Sequence, residues 1–289
     1  MTFTIFCPIT FFTGCQARTA ASREETETCQ PLEAMSFPSP TAAIEHINDF
    51  VGADPILAFG YTHRETRSQR SAVGIFAKEI LPCLADQGYT DLVLEIFPQG
   101  GELDAIELEI AEFNRSGRIG QEMARFLSVR DQANFILLLE QARAHNITIH
   151  SGGVDYNNVE RTILHPEFTS TPGRLETARQ EIARNTRDAL TDLSSQGRKI
   201  ISLNGTVHND IYPTENNVAA SFGSEMSEHF PVAYAAIDLV VPELSERNNY
   251  YRDLPLSSAC DWRDFIPEAG VSLISERGLN SYLLSWPGQ

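Results

Sequence analysis

Five short apolar runs constrain the fold of this chain more than any other feature. They are Ile56-Leu57-Ala58-Phe59-Gly60, residues 91–97 around Leu92-Val93-Leu94, residues 147–150, Ile200-Ile201-Ser202-Leu203-Asn204 and residues 232–240. Runs of this length with little polar alternation must be covered on both faces, as strands inside a parallel sheet are. Between them lie stretches with helical spacing. Ala43, Ile44, Ile47 and Phe50 mark 41–50, and Ala72, Ile75, Phe76, Ile80 and Leu84 mark 64–87. Further helices are expected at 102–115, at 128–145 through Phe135, Leu138, Leu139 and Ala142, at 174–196 and at 217–230. Pro82 should kink the second of these, and Gly88 and Gly197 should end the second and fifth. Alternation of strand and helix predicts an α/β fold, a mostly parallel sheet with helices on both faces in three layers. From Pro242 onward the pattern is less regular, with Val271-Ser272-Leu273-Ile274 and Ser281-Tyr282-Leu283-Leu284 expected as added edge strands.

A chain of 289 residues, 42% apolar, is long enough for one large α/β core. The domain is expected over 39–289. Residues 1–38 read as a signal-like segment followed by a flexible polar tether. Residues 1–17 carry no charge, and Phe12-Thr13-Gly14-Cys15 resembles a bacterial lipobox. The expectation is a lipidated Cys15 and a cell-envelope protein, lipid-anchored or secreted, with a cytoplasmic location as the alternative. The net charge of −17 leaves no basic stripe to neutralise phosphates, which argues against nucleic acid as a partner. Cys7, Cys15 and Cys29 precede the domain. Cys83 and Cys260 lie within it, as a disulfide or as two buried thiols.

The chemistry-bearing pattern occurs twice, as Gly60-Tyr61-Thr62-His63 and Gly205-Thr206-Val207-His208, each directly after an apolar run. A third run ends in Glu95. Three strands thus deliver His, Glu and His at their C-terminal ends, the edge of an open α/β sheet where ligands bind. Two imidazoles and a carboxylate can hold a divalent metal such as Mn²⁺ or Zn²⁺, or can share a water directly, with one His as general base. Arg184, followed by Asn185 in the helix 174–196, could bind a carboxylate or an oxyanion; a solvated helix face is its plainer reading. Structural roles remain open for each residue singly. Glu65 suits a first helical turn, and Asp155 suits a turn. The absence of GxGxxG, a Walker lysine and GxSxG removes the usual signs of nucleotide binding and serine hydrolysis.

In order and spacing, Gly60/His63, Glu95, Arg184-Asn185 and Gly205/His208 resemble the superfamily that joins erythromycin esterases, Tiki and TraB-like metalloproteases and the ChaN haem-binding lipoproteins. The resemblance spans about 55–210, and the lipobox-like start suits the ChaN branch. It implies a hydrolase of ester or peptide bonds using His63, Glu95, Arg184 and His208, with His63, Glu95 and His208 as metal ligands and a small molecule or peptide as substrate. The alternative it implies is a haem- or small-ligand-binding lipoprotein without turnover. Many members carry Glu where Tyr61 stands; a Tyr there could ligate ferric haem iron or donate a hydrogen bond.

Overall fold

A computed structural model describes residues 33–63, 70–99, 104–127, 131–154, 172–245, 262–275 and 278–288. Cys7, Cys15, Cys29, Glu65, Asp155 and Cys260, and with them the lipobox-like segment, lie outside the described residues. One sheet of eight strands organises the rest. The strands are β1 (Ala34–Phe37), β2 (Ile56–Tyr61), β3 (Asp91–Pro98), β4 (Thr148–Gly153), β5 (Ile200–Gly205), β6 (Tyr234–Val240), β7 (Val271–Ser275) and β8 (Ser281–Ser285), in the spatial order β1-β7-β8-β6-β2-β5-β3-β4. From β8 to β4 every neighbouring pair is parallel, while β7 runs antiparallel to both β8 and β1. The expected α/β architecture is present, and both late segments form strands; they are not edges, however, because β1 pairs outside β7 and the two lie between β1 and β6.

Side chains alternate between two cores with the period of a strand. On β2, Leu57, Phe59 and Tyr61 enter one core and Ile56 and Ala58 the other; on β6, Ala235, Ile237 and Leu239 oppose Tyr234 and Ala236. The larger core is covered by α1 (Pro40–Asn48), α2 (Ala72–Ile75), a π-helical turn (Phe76–Ile80), α3 (Leu81–Asp86), α4 (Asp104–Ser116), α5 (Gln121–Phe126) and α6 (Gln132–Ala144). The opposite face is covered by α7 (Pro172–Ser195) and α8 (Gly223–His229). A short α9 (Pro242–Ser245) follows β6.

Several boundaries differ from the sequence expectation for identifiable reasons. The domain begins before residue 39, because β1 adds an antiparallel edge to β7. Four residues with a mostly exposed pattern give no alternation to read. Of the helix expected over 64–87, positions 64–69 lie outside the described residues, and the described part starts at Ala72, where the Ser71 side chain accepts the Gly74 N–H at 3.0 Å as an N-cap. Pro82 acts as expected: it cannot donate to the helix, and the turn before it widens so that the Leu81 N–H reaches the Phe76 carbonyl. In place of one helix over 217–230 there is a 3₁₀ turn (Val218–Ala220) and then α8. Gly223 sits too close to the Asn209 and Asp210 carbonyls to carry a side chain, so the chain turns there. The helix α5 has only six residues and no apolar stripe long enough to announce it. Cys83 is a buried free thiol whose pKa is raised by burial.

At the N-terminal edge of the sheet, fully buried Asp91 takes the His150 Nε2 at 2.7 Å, the Arg198 guanidinium at 2.7 Å and the Thr90 hydroxyl at 2.6 Å. Burial pushes its carboxyl up, but these partners outweigh burial and hold it below the usual range. A carboxylate with a depressed native pKa stabilises the fold above its unfolded-state pKa, and that contribution is lost as pH falls through the native value. Asp91→Asn should therefore lower stability at neutral pH by ~2 kcal/mol, the scale of a hydrogen bond to a charged group. It should also flatten the acid side of a stability-versus-pH curve, read by urea unfolding from pH 7 to pH 3.

Candidate functional site

Strand order builds the site. The chain lays down β2, then β3 and β4, and returns to insert β5 between β2 and β3. The three strands that end in His63, His208 and Glu95 are therefore consecutive neighbours, about 4.8 Å apart. Beyond Leu94 the β3 strand leaves its register with β5 and bulges against β4. That departure frees the Gly205 N–H, and the Glu95 side chain takes it at 2.8 Å through Oε2. A carboxylate thus stands where the next ladder carbonyl would have been.

Around Glu95 the two histidines are disposed one to each oxygen. Nε2 of His63 lies 3.9 Å from Oε1 and Nε2 of His208 lies 3.8 Å from Oε2. The Tyr61 hydroxyl donates to Oε1 at 3.2 Å, and its ring meets that of His63 edge-on at 4.8 Å. The His63 side chain is 73% exposed, whereas those of His208 and Glu95 are 9% and 7% exposed. One imidazole therefore faces water and the other faces the protein.

His208 Nδ1 lies 2.7 Å from the Ala220 carbonyl. A carbonyl only accepts, so Nδ1 carries the hydrogen and Nε2 keeps a lone pair. Burial lowers the pKa of this imidazole, with Arg179 and His63 adding to that shift; Glu95 and the Ala220 carbonyl oppose it. His208 is thus a neutral base whose lone pair is directed toward the Glu95 side.

Arg184 does not reach the cluster, whereas the charge of Arg179, on the same helix, acts on His208. Both lie on α7, which packs Ala178, Ile182, Ala183, Thr186 and Leu190 inward. Arg179 continues that inward stripe toward the helix start, nearest the C-terminal edge of the sheet. Arg184 is exposed, five residues along and about 140° around the helix, so it does not join the cluster. The neighbours of Arg184 have an anchoring role. Asn185 Nδ2 donates to the Gly153 carbonyl at 2.7 Å and Thr186 Oγ1 to the Gly152 carbonyl at 2.9 Å, which hooks α7 to the end of β4. The signal missed in the sequence was an arginine in register with the buried stripe.

The metal reading fits poorly. Tetrahedral bonds of ~2.0–2.1 Å place neighbouring ligand atoms about 3.3 Å apart. Here the two N···O separations are longer and fall on different oxygens. Among the described residues no group of three His, Cys, Asp or Glu side chains is arranged to hold a metal ion. Tyr61 fits equally poorly as a haem ligand, because its hydroxyl is buried and bonded to Glu95.

No family model matches the chain, and no curated protein matches it. Solved structures similar to it include RRSP, a MARTX toxin effector domain from Vibrio vulnificus, at 16% identity over 68% of this chain, with a TM-score of 0.43. This chain spans 37% of the length of that one. Another is ChaN of Campylobacter jejuni, a structure of cofacial haem binding, at 13% identity over 73% of this chain and 91% of that chain, with a TM-score of 0.46. A third is the C-terminal region of Pasteurella multocida toxin, with a thiol-protease-like catalytic triad, at 19% identity over 70% of this chain and 25% of that chain, with a TM-score of 0.44.

The two motif glycines differ in kind. A Cβ on Gly60 would overlap the Asp238 carboxylate and lie 2.8 Å from Asn209 Oδ1, whereas a Cβ on Gly205 would meet the Glu95 oxygens at an ordinary 3.7 Å. Gly60→Ala should cost about 1–3 kcal/mol by overpacking, and Gly205→Ala less than about 1 kcal/mol. Equal losses in thermal unfolding of the two variants would contradict this account.

Proposed function

We propose that the chain is a hydrolase of carboxylic ester or peptide bonds that works by acid–base catalysis, with His208 as the base. The observation that carries this reading is the fixed tautomer of His208. Its Nδ1–H is tied to the Ala220 carbonyl, and its unprotonated Nε2 sits beside a buried carboxylate. This is the arrangement a general base needs: the ring is oriented, the acceptor atom is fixed, and a negative charge waits to stabilise the imidazolium.

A water bound beside Nε2 gives its proton to His208 as its oxygen attacks the substrate carbonyl carbon. Glu95 stabilises the resulting imidazolium. Tyr61 and the Gly205 N–H hold Glu95 in place. Arg179 on α7 is the cation assigned to the oxyanion. The tetrahedral intermediate collapses, the carbon–oxygen or carbon–nitrogen bond breaks, and the departing alcohol or amine takes the proton back from His208. Exposed His63 stands on the solvent side of Glu95.

An ester and peptide panel tests the reading. His208→Gln and Glu95→Gln should each lower turnover by ~10²–10⁴-fold, the range for general acid–base groups. Treatment with a chelator should leave activity in place. Activity should fall on acidification only below the ordinary imidazole pKa, since His208 titrates low. Arg179→Met, by removing a cation that disfavours imidazolium, should move that acid limb to higher pH. Unchanged turnover in His208→Gln would overturn the proposal. A Soret band on addition of haemin, with no turnover on the panel, would replace it with the haem-binding alternative.

A further inference from the structure

We infer that Asn209 is a positioning residue that locks the His208-bearing loop onto the strands, and that the glycine of the first motif exists to seat it. The inference rests on the role given to His208 above. The loop from Thr206 to Phe222 is held together by bonds of its own. Phe222 N–H donates to the His208 carbonyl at 2.8 Å, and the Ser221 hydroxyl to the Asp210 carbonyl at 2.6 Å and to the His208 carbonyl at 3.1 Å. His208 Nδ1–H to Ala220 belongs to the same set. Those bonds fix the loop as a body; its near end joins the sheet at Gly205 of β5, whose carbonyl takes the His208 N–H at 2.9 Å and whose own N–H is held by Glu95, and further ties must hold the rest of that body to the strands.

The polar ties from the loop to the sheet centre on Asn209, which is fully buried. Its Nδ2 donates to the Ala58 carbonyl of β2 at 3.1 Å and to Asp238 Oδ1 of β6 at 3.2 Å. Its own carbonyl accepts the Tyr234 hydroxyl, from the start of β6, at 3.0 Å. A weaker tie runs from the Thr206 N–H to the Tyr61 carbonyl at 3.4 Å. One side chain thus spans two strands and holds the residue directly after His208. The space it needs is the missing side chain of Gly60, where Asn209 Oδ1 and Asp238 Oδ1 both crowd in. The two GxxH motifs are therefore coupled mechanically as well as chemically: the glycine of the first receives the residue that follows the histidine of the second.

Amide hydrogen exchange on the full chain tests this without any substrate. In Asn209→Ala the Thr206 N–H, at the seam between loop and sheet, should exchange at least 10-fold faster, while the Phe222 N–H, internal to the loop, keeps its protection. The NMR titration of His208 should rise toward the ordinary imidazole value as the loop lifts and water reaches the ring. Tyr234→Phe removes a single hydroxyl, keeps the ring packing, and should show the same pattern more weakly; it decides the question if Asn209→Ala does not fold. Ile56→Val, a core change of modest cost, should move neither readout. Faster exchange at Thr206 and Phe222 together would mean that Asn209 merely stabilises the loop, and no change at either would mean that it does not anchor it. Both results overturn the inference, and neither bears on whether the chain hydrolyses esters.

Discussion

The site depends on one hydrogen bond that replaces another. After Leu94 the β3 strand bends away from β5, and the Gly205 N–H left behind is claimed by the Glu95 carboxylate. The bend is possible because β4 ends in Gly152-Gly153: a Cβ on Gly153 would collide with the Glu95 carbonyl. A charged group at a sheet's interior edge is costly unless its lone pairs are matched. Glu95 meets that requirement with a backbone amide on one oxygen and a phenol on the other. The histidines are then free to stand near it without being bonded to it, at 3.8 and 3.9 Å, which leaves their Nε2 atoms available for chemistry.

The asymmetry between the histidines follows from the strands that carry them. His63 leaves β2 at an open edge and is bathed in water, while His208 is folded under a loop that bonds back on itself through Ala220, Ser221 and Phe222. Identical residues in near-identical motifs therefore have different surroundings, and burial lowers the pKa of His208. Sequence alone assigned them equal roles because a four-residue pattern says which strand end carries an imidazole, not how that end is covered.

What was legible in the chain was whatever repeats with a short period. The apolar runs of β2, β3 and β5 announced themselves, and the positions at or after their ends announced His63, Glu95 and His208. Less legible was anything set by three-dimensional placement. Arg184 sits in the recognisable dipeptide, yet Arg179 lies on the inward stripe of α7, and only the direction in which the helix runs decides between them. The β1 strand escaped notice because an edge strand of four residues is identified by its partner, β7, more than 200 positions away. Asn209 carried no signal at all, since its value comes from touching β2 and β6 at once.

The late insertion of β5 has a consequence for how the molecule comes into being. As the chain emerges, β2 and β3 appear first but are not neighbours; the slot between them stays open until residues 200–205 arrive. Contacts of such long sequence separation close slowly. Until they do, two buried strand edges lie bare and no reaction centre exists. A growing chain of this topology thus keeps the facing edges of β2 and β3 bare until β5 arrives, and the outer edge of β2 bare until β6 follows.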